Sequence, residues 1–164
     1  MDTLDIFRNR ISVREYSDRP VEKEKLEKLV DAGRLAATAR NEQPWEFIAV
    51  TDKGKIKGLA GITDHGKFMS GASAAIAVFC KDTKYYLEDG SAATENMLLA
   101  AAALGIGSCW IAGDKKEYCP RIAAALGVPQ GYKLISIISL GYPASKPVPH
   151  QKRAIKEVIH WEEF

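Results

Sequence analysis

No stretch of the sequence is apolar for long enough to cross a bilayer. Its apolar runs, such as Ala74–Cys80, fall far short of the roughly 18 residues a spanning helix needs. The N-terminus, Met1-Asp2-Thr3-Leu4-Asp5, is acidic and lacks the apolar core of a secretory signal. Cysteines are few and odd in number (Cys80, Cys109, Cys119), with no Cys-x-x-Cys pair. That suits reduced thiols in a cytoplasmic protein better than a disulfide framework. The three histidines, His65, His150 and His160, are far apart, so no metal site is expected. There is no Gly-x-Ser-x-Gly elbow for a serine nucleophile. Neither charge dominates: 23 Lys and Arg face 21 Asp and Glu, a net charge of +2, too balanced for a dedicated nucleic-acid binder. Repeats and low-complexity segments are also missing. What is present is ordinary globular composition, 46% hydrophobic and 27% charged, and 164 residues suffice for one domain with a real core.

Helices and strands are interleaved along the chain. Asp2 or Thr3 can cap a short helix that buries Leu4 and Phe7 and runs to about Asn9. Ser17-Asp18-Arg19-Pro20 reads as the start of a second helix, with Leu26, Leu29, Val30 and Gly33 on its apolar face. Glu46–Thr51 reads as a strand, and Asp52 as the cap of a short helix carrying Ile56 and Leu59. Ala74–Lys81 is a strand buried on both faces. An alanine-rich helix follows from about Asp89 to Leu104, with Ala93, Met97, Ala100 and Leu104 as its stripe and Gly105 as its stop. Gly107–Ala112 is a short strand or extended turn, and Asp114–Glu117 resembles a capping box that opens a helix through Ile122 to Gly127. Lys133–Leu140 is a buried strand. Residues 142–164 form an extended arm whose Ile155–Trp161 is strand-like but has no local strand to pair with.

Two nucleotide motifs fail on inspection. Gly61–Lys67 has phosphate-loop spacing, but Phe68 stands where a magnesium-binding hydroxyl belongs. Gly105-Ile106-Gly107 begins like a dinucleotide fingerprint, but Trp110 occupies the third glycine position and the segment follows a helix. Three other features carry chemistry. Arg8, Arg10, Arg14 and Arg19 crowd the start, and Lys146, His150, Lys152 and Arg153 crowd the end. Around Ser12 these are either solvated surface charges or the forks, point charge and hydroxyl of a phosphate site. The turn Thr38–Trp45 is either a helix stop or a source of Asn41 and Gln43 amides for a heteroaromatic edge. Gly105–Gly113 is either tight helix–sheet packing or backbone that can approach a flat ligand.

In that order, these segments resemble the nitroreductase family of flavin enzymes. Arg10-Ile11-Ser12-Val13-Arg14-Glu15-Tyr16 resembles its Arg-x-Ser-x-Arg/Lys-x-Tyr/Phe segment, and Asn41–Trp45 its Asn-x-Gln-Pro-Trp segment. Gly105–Gly113 resembles the Gly-Leu-Gly-Ser-Cys-Trp-Ile-Gly stretch of its smaller members. Gly141-Tyr142-Pro143, Lys152-Arg153 and Glu157–Trp161 resemble its C-terminal signature. The match runs from about Leu4 to Trp161. It implies an α+β fold, with a central, mostly antiparallel sheet flanked by helices and a C-terminal strand exchanged in a homodimer. It also implies non-covalent FMN at the subunit interface. By match, Arg10, Ile11, Ser12 and Arg14 hold phosphate and ribityl, with Lys152 or Arg153 closing the site. Thr38, Ala39, Asn41 and Gln43 come from the partner subunit. Trp110, Ile111, Ala112 and Gly113 lie along the isoalloxazine, with a backbone N–H near its N5.

The activity implied is ping-pong transfer of reducing equivalents from NAD(P)H through FMN to a nitroaromatic, quinone or similar oxidant. No catalytic side chain is required of the protein. A specialised reaction of the same family (dehalogenation, flavin fragmentation, ring oxidation) and a non-catalytic flavin-binding protein are the alternatives. Larger members carry a Glu where this chain has Ala112, and an Asn on the pyrimidine side with no clear counterpart around Gly66–Ser70. The cover over the substrate side, near residues 61–73 and 82–90, is expected to be reduced.

Overall fold

A computed structural model of the chain describes residues 3–164, with side chains from Leu4 onward. The expected cap at Asp2 or Thr3 lies outside the described residues and side chains. Four strands form one sheet: β1 (Trp45–Val50), β2 (Ala74–Lys81), β3 (Gly107–Ala112) and β4 (Tyr132–Gly141), in the order β1-β2-β4-β3. All three pairings are antiparallel. With helices on both faces this is the expected α+β architecture.

β2 shows why its sequence is an unbroken apolar run. Ala74, Ile76, Val78 and Cys80 pack into one core, and Ala75, Ala77 and Phe79 into the other, as a period-two strand covered on both faces must. Helices α2 (Lys23–Arg34) and α4 (Tyr86–Ala103) cover the first face through Leu26, Leu29, Met97 and Ala101. Helices α3 (Lys53–Ile62) and α5 (Cys119–Leu126) cover the second through Ile56, Leu59 and Ile122. Each such aliphatic side chain contributes about 1.5–3 kcal/mol on full burial. The small residues let α4 come close. A Cβ on Gly90 would lie 2.5 Å from Ile135 and 2.9 Å from the Cys80 sulfur. The Thr94 hydroxyl meets that of Ser136 at 2.8 Å. The alanine-rich helix is thus a core contact in this chain.

Three local readings are corrected. Helix α1 (Thr3–Asn9) forms, but Leu4 and Phe7 are each 54% exposed. Helix α2 starts at Lys23, not near Ser17. The residues before it are drawn into extended contacts: Ser17 N–H donates to Tyr142 C=O, and Val21 N–H to the Ser73 hydroxyl. Helix α5 starts at Cys119 with no capping box; the Asp114 carboxylate instead accepts from the Tyr86 hydroxyl at 2.7 Å. That bond pushes the Tyr86 phenol up to about 12.

After Gly141 the chain becomes an arm, and every residue from 151 to 164 is exposed. Ile155–Glu157 is a 3-10 turn and the expected strand does not form in the single chain, since a strand needs a ladder partner for its backbone groups. A charged cluster clamps the arm's exit. Glu22 accepts from the Tyr142 hydroxyl at 2.6 Å and from Arg19 at 2.8 Å, with Lys25 3.4 Å away. The Tyr142 bond, with the two cations, holds the Glu22 carboxyl down at about 2. A carboxylate held low stabilises the fold above its ordinary range, and loses that contribution as pH falls through its folded value. The stability gap between the parent and Glu22→Gln should therefore be widest at neutral pH and shrink as pH falls from about 4.5 toward 2. Denaturant titrations of both proteins at several pH values read the gap, and a constant gap removes the clamp from the account.

Candidate functional site

The outer edge of β3 gathers residues from distant parts of the chain. Ser12 bridges Ser108 in parallel, and Val13 N–H donates to Ser108 C=O at 2.9 Å. Glycine is required opposite, because a Cβ on Gly107 would lie 2.9 Å from Val13. Tyr16 locks the segment from its far end. Its phenol donates to Val13 C=O at 2.6 Å, meets the Ser139 hydroxyl at 2.7 Å, and is pushed up by burial. Apolar Val13 and half-buried Tyr16 thus dock the segment, and between them exposed Arg14 reaches the pocket beside β3. Burial pushes the Cys109 thiol up, whereas Arg14, a hydrogen bond with Ser12, and Arg10 pull it down. Arg10 also stands 3.8 Å from Glu95 on α4, a half-exposed pair worth little by itself.

Strand alternation decides which backbone groups of β3 are available. Ser108 turns its C=O outward to Val13, and Ala112 turns its C=O outward to the Tyr118 hydroxyl. Residues two apart on a strand share an orientation, so Trp110 and Ala112 direct N–H groups away from β4. Gly113 N–H is taken by Ile135 C=O at 3.1 Å. Of the four residues expected along a flat ligand, Trp110 and Ala112 are the ones whose N–H groups face outward.

That edge opens into a pocket of about 290 Å³ lined by Arg14, His65, Phe68, Cys109, Trp110, Ile111, Ala112, Lys116 and Tyr118. Arg14 and Trp110–Ala112, some hundred residues apart in sequence, line this one pocket. His65, Phe68, Lys116 and Tyr118 were missed. Their signal is a glycine: a Cβ on Gly66 would lie 2.6 Å from the Thr63 hydroxyl and 2.9 Å from Ile111. Gly66 lets the loop lie flat on β3 and carries His65 and Phe68 to the pocket. Arg14 sits over the Phe68 ring at 5.6 Å, and Lys116 pairs with Asp64 at 3.6 Å. A larger cavity of about 610 Å³ lies between α5 and the start of β4. It shares Lys116 with this pocket, but much of its wall is Pro120, Ala123, Val128 and Pro129, and Arg14 does not reach it.

The turn Thr38–Gln43 and the arm residues Lys152 and Arg153 do not line this pocket within one chain. The turn is strained: Arg40, Asn41 and Gln43 all have left-handed φ, at 54°, 56° and 47°. Asn tolerates that region and the other two do so at a cost, on the order of 1–3 kcal/mol each. The buried Asp89 holds the turn from α4. Arg153 donates to Glu157 C=O within the arm.

The end of β3 admits no side chain. A Cβ on Gly113 would stand 2.5 Å from Leu134 O and 2.8 Å from Ile135 C and O, all backbone. Gly113→Ala should therefore cost about 1–3 kcal/mol, the range for overpacking. Gly58→Ala, in α3 with nothing within 4 Å, should gain about 0.5–1 kcal/mol. Denaturant midpoints check both, and a neutral Gly113→Ala would contradict this packing.

The sequence profile of the nitroreductase family matches residues 7–67 and 66–142. A protein of Archaeoglobus fulgidus, provisionally named NADH dehydrogenase/NAD(P)H nitroreductase, is 41% identical over 150 residues, covering 87% of this chain and 86% of its own. Among solved structures, an FMN-dependent nitroreductase from Clostridium difficile R20291 superposes with a TM-score of 0.93 at 32% identity, covering 99% of this chain and 100% of its own. A provisionally named nitroreductase from Desulfovibrio desulfuricans, solved in complex with FMN, gives 0.84 at 29% identity, covering 100% and 98%. Among the described residues no helix is long and apolar enough to cross a membrane.

Proposed function

Because the chain belongs to the nitroreductase family, we propose that two half-reactions share one face of the β3 pocket. A reduced nicotinamide delivers reducing equivalents and leaves, and a small nitroaromatic or quinone-like oxidant then collects them. The chain is an FMN-dependent NAD(P)H oxidoreductase. FMN supplies the redox chemistry when bound, and the protein supplies binding, orientation and electrostatics.

The donor set at β3 fits such a group. Outward N–H groups of Trp110 and Ala112 suit the edge of a flat heteroaromatic ring, and Arg14 adds a fixed positive charge beside them. Arg10, Ser12 and Arg14 would take phosphate and ribityl, with Ile11 packed between them and Lys152 or Arg153 closing over the phosphate. Positive charge and N–H groups fixed beforehand stabilise negative charge that develops during reduction. Ile111 and Gly113 would act as close-packed backbone beside the ring.

The turn Thr38–Gln43 and the arm would complete the site in a homodimer, each reaching the neighbouring subunit's pocket. The arm's composition favours this. Ile155 is 76% exposed and Trp161 78% exposed, an apolar surface that a single chain leaves in water. β1 is an edge strand, whereas the outer edge of β3 already holds Ser12 and Val13.

The observation that carries this reading is the meeting of Arg14 with the outward backbone of Trp110–Ala112. Its test is an absorption spectrum of the purified protein, identification of the molecule that acid releases, and anaerobic addition of NADH or NADPH. A two-banded yellow spectrum, released FMN and rapid bleaching are expected, followed by recovery on adding a nitroaromatic or quinone. A protein that neither holds nor accepts FMN would overturn the reading; one that holds FMN and bleaches slowly or not at all is a binder, not a reductase.

A further inference from the structure

One buried carboxylate fixes both ends of the strained turn. Asp89 is 4% exposed and lies in the first turn of α4, where the helix dipole favours negative charge. Its Oδ1 accepts from Ala39 N–H at 3.1 Å, and its Oδ2 accepts from the Thr38 hydroxyl at 2.8 Å. That hydroxyl in turn accepts from Gln43 N–H at 3.1 Å. The entry of the turn is held directly, and its exit through a single hydroxyl. Between these ties lie the left-handed Arg40 and Asn41, with Gln43 at the end. Burying a carboxylate is unfavourable unless hydrogen bonds hold it, and these two bonds both serve one turn. Such a backbone persists only while its surroundings over-determine it.

We propose that Asp89 is a positioning residue for the cofactor site: acting through Thr38, it holds Asn41 and Gln43 in the left-handed geometry that presents their exposed amides to FMN at the neighbouring subunit's β3. This rests on the reading that the turn borders the flavin. With the carboxylate removed, the turn relaxes toward ordinary φ, and FMN binding must first restore it. Affinity falls although the Asp89 side chain touches no part of the ligand.

The test uses the full chain, with FMN removed and titrated back. Flavin fluorescence gives the dissociation constant, and visible-region circular dichroism of bound FMN reports how the ring is held. Asp89→Ala and Thr38→Val should each weaken binding about tenfold or more, as loss of a hydrogen bond to a charged group does. Both should change the visible dichroism and leave the far-ultraviolet spectrum unaltered. The double variant should bind within about twofold of the weaker single one, because both cut the same relay. Thr38→Ser, which keeps the hydroxyl, should return to within about threefold of the parent. If Asp89→Ala does not fold, Asp89→Asn and Thr38→Val are read in its place. Full affinity and parental dichroism in the Asp89 variants, with weakened Asn41→Ala and Gln43→Ala, would overturn the inference alone. Full affinity in Asn41→Ala combined with Gln43→Ala would remove the turn from the site and the inference with it.

Discussion

An Arg10→Ala, Arg14→Ala double variant should purify folded and largely colourless. The fold does not depend on these side chains. Arg14 is exposed, and the segment that carries both is docked by Val13, packed against Gly107, and by Tyr16, hydrogen-bonded to Val13 and Ser139. The ion pair of Arg10 with Glu95, at 3.8 Å and half-exposed, adds little. What the pair would supply is binding. Charge-assisted hydrogen bonds contribute about 1.5–3 kcal/mol each, so losing two should weaken FMN by about 10²–10⁴-fold. Flavin absorbance per chain after purification measures the loss, and thermal melts of the FMN-free proteins separate it from unfolding. Arg10→Lys with Arg14→Lys should recover only part of the affinity, because an ammonium cannot reproduce the planar fork. Full retention of flavin in the alanine variant would move the phosphate to another part of the molecule.

The parts of this molecule that were legible in sequence are those whose environment is set locally. The strand Ala74–Lys81 was readable to the residue because burial on both faces leaves an unbroken apolar run bounded by polar positions. Gly107–Ala112 was readable because glycines bracket it, and Asp52 because a cap acts within three residues: it accepts from Lys55 N–H at 2.7 Å. Errors arose where a distant partner took a local signal for itself. Pro20 suggested a helix start, but Ser17 and Val21 spend their N–H groups on Tyr142 and Ser73. Asp114 suggested a cap, but Tyr86 claims its carboxylate.

The site divides in the same way. Arg14 and Trp110–Ala112 stand out by the company they keep in sequence, and the fold brings them to one pocket. His65 and Phe68 do not, since what brings them to the pocket is the absence of a Cβ at Gly66 where Ile111 approaches. A glycine inside a polar loop looks like a turn until its neighbour across the sheet is known. Asp89 was invisible for a related reason. In sequence it marks only the start of a helix, and the fold shows that its carboxylate serves a turn fifty residues earlier.

On the reading that the arm joins two subunits around the flavin, truncation before Ile155 should leave a colourless monomer that is still folded. None of the ten residues removed contributes to either core, and all are exposed in the single chain. The body should keep its far-ultraviolet spectrum and a cooperative melt. The arm's apolar side chains are another matter: Ile155, Val158, Trp161 and Phe164 are each more than half exposed. Burying such side chains against a second chain yields about 1.5–3 kcal/mol apiece before the costs of association are subtracted. Removing four of them therefore takes away a large part of what can hold two subunits together. If the pocket is completed across the interface, FMN and the dimer are lost over the same concentration range. Sedimentation velocity recorded at protein and flavin wavelengths follows both species in one experiment. A truncated chain that remains a yellow dimer would place the interface on the body, with the exposed α1 face of Leu4 and Phe7 as the apolar surface to test next. A colourless dimer would separate the arm's hold on FMN from assembly, and would leave Lys152 and Arg153, which the truncation keeps, displaced from the phosphate because the segment beyond them no longer anchors the arm.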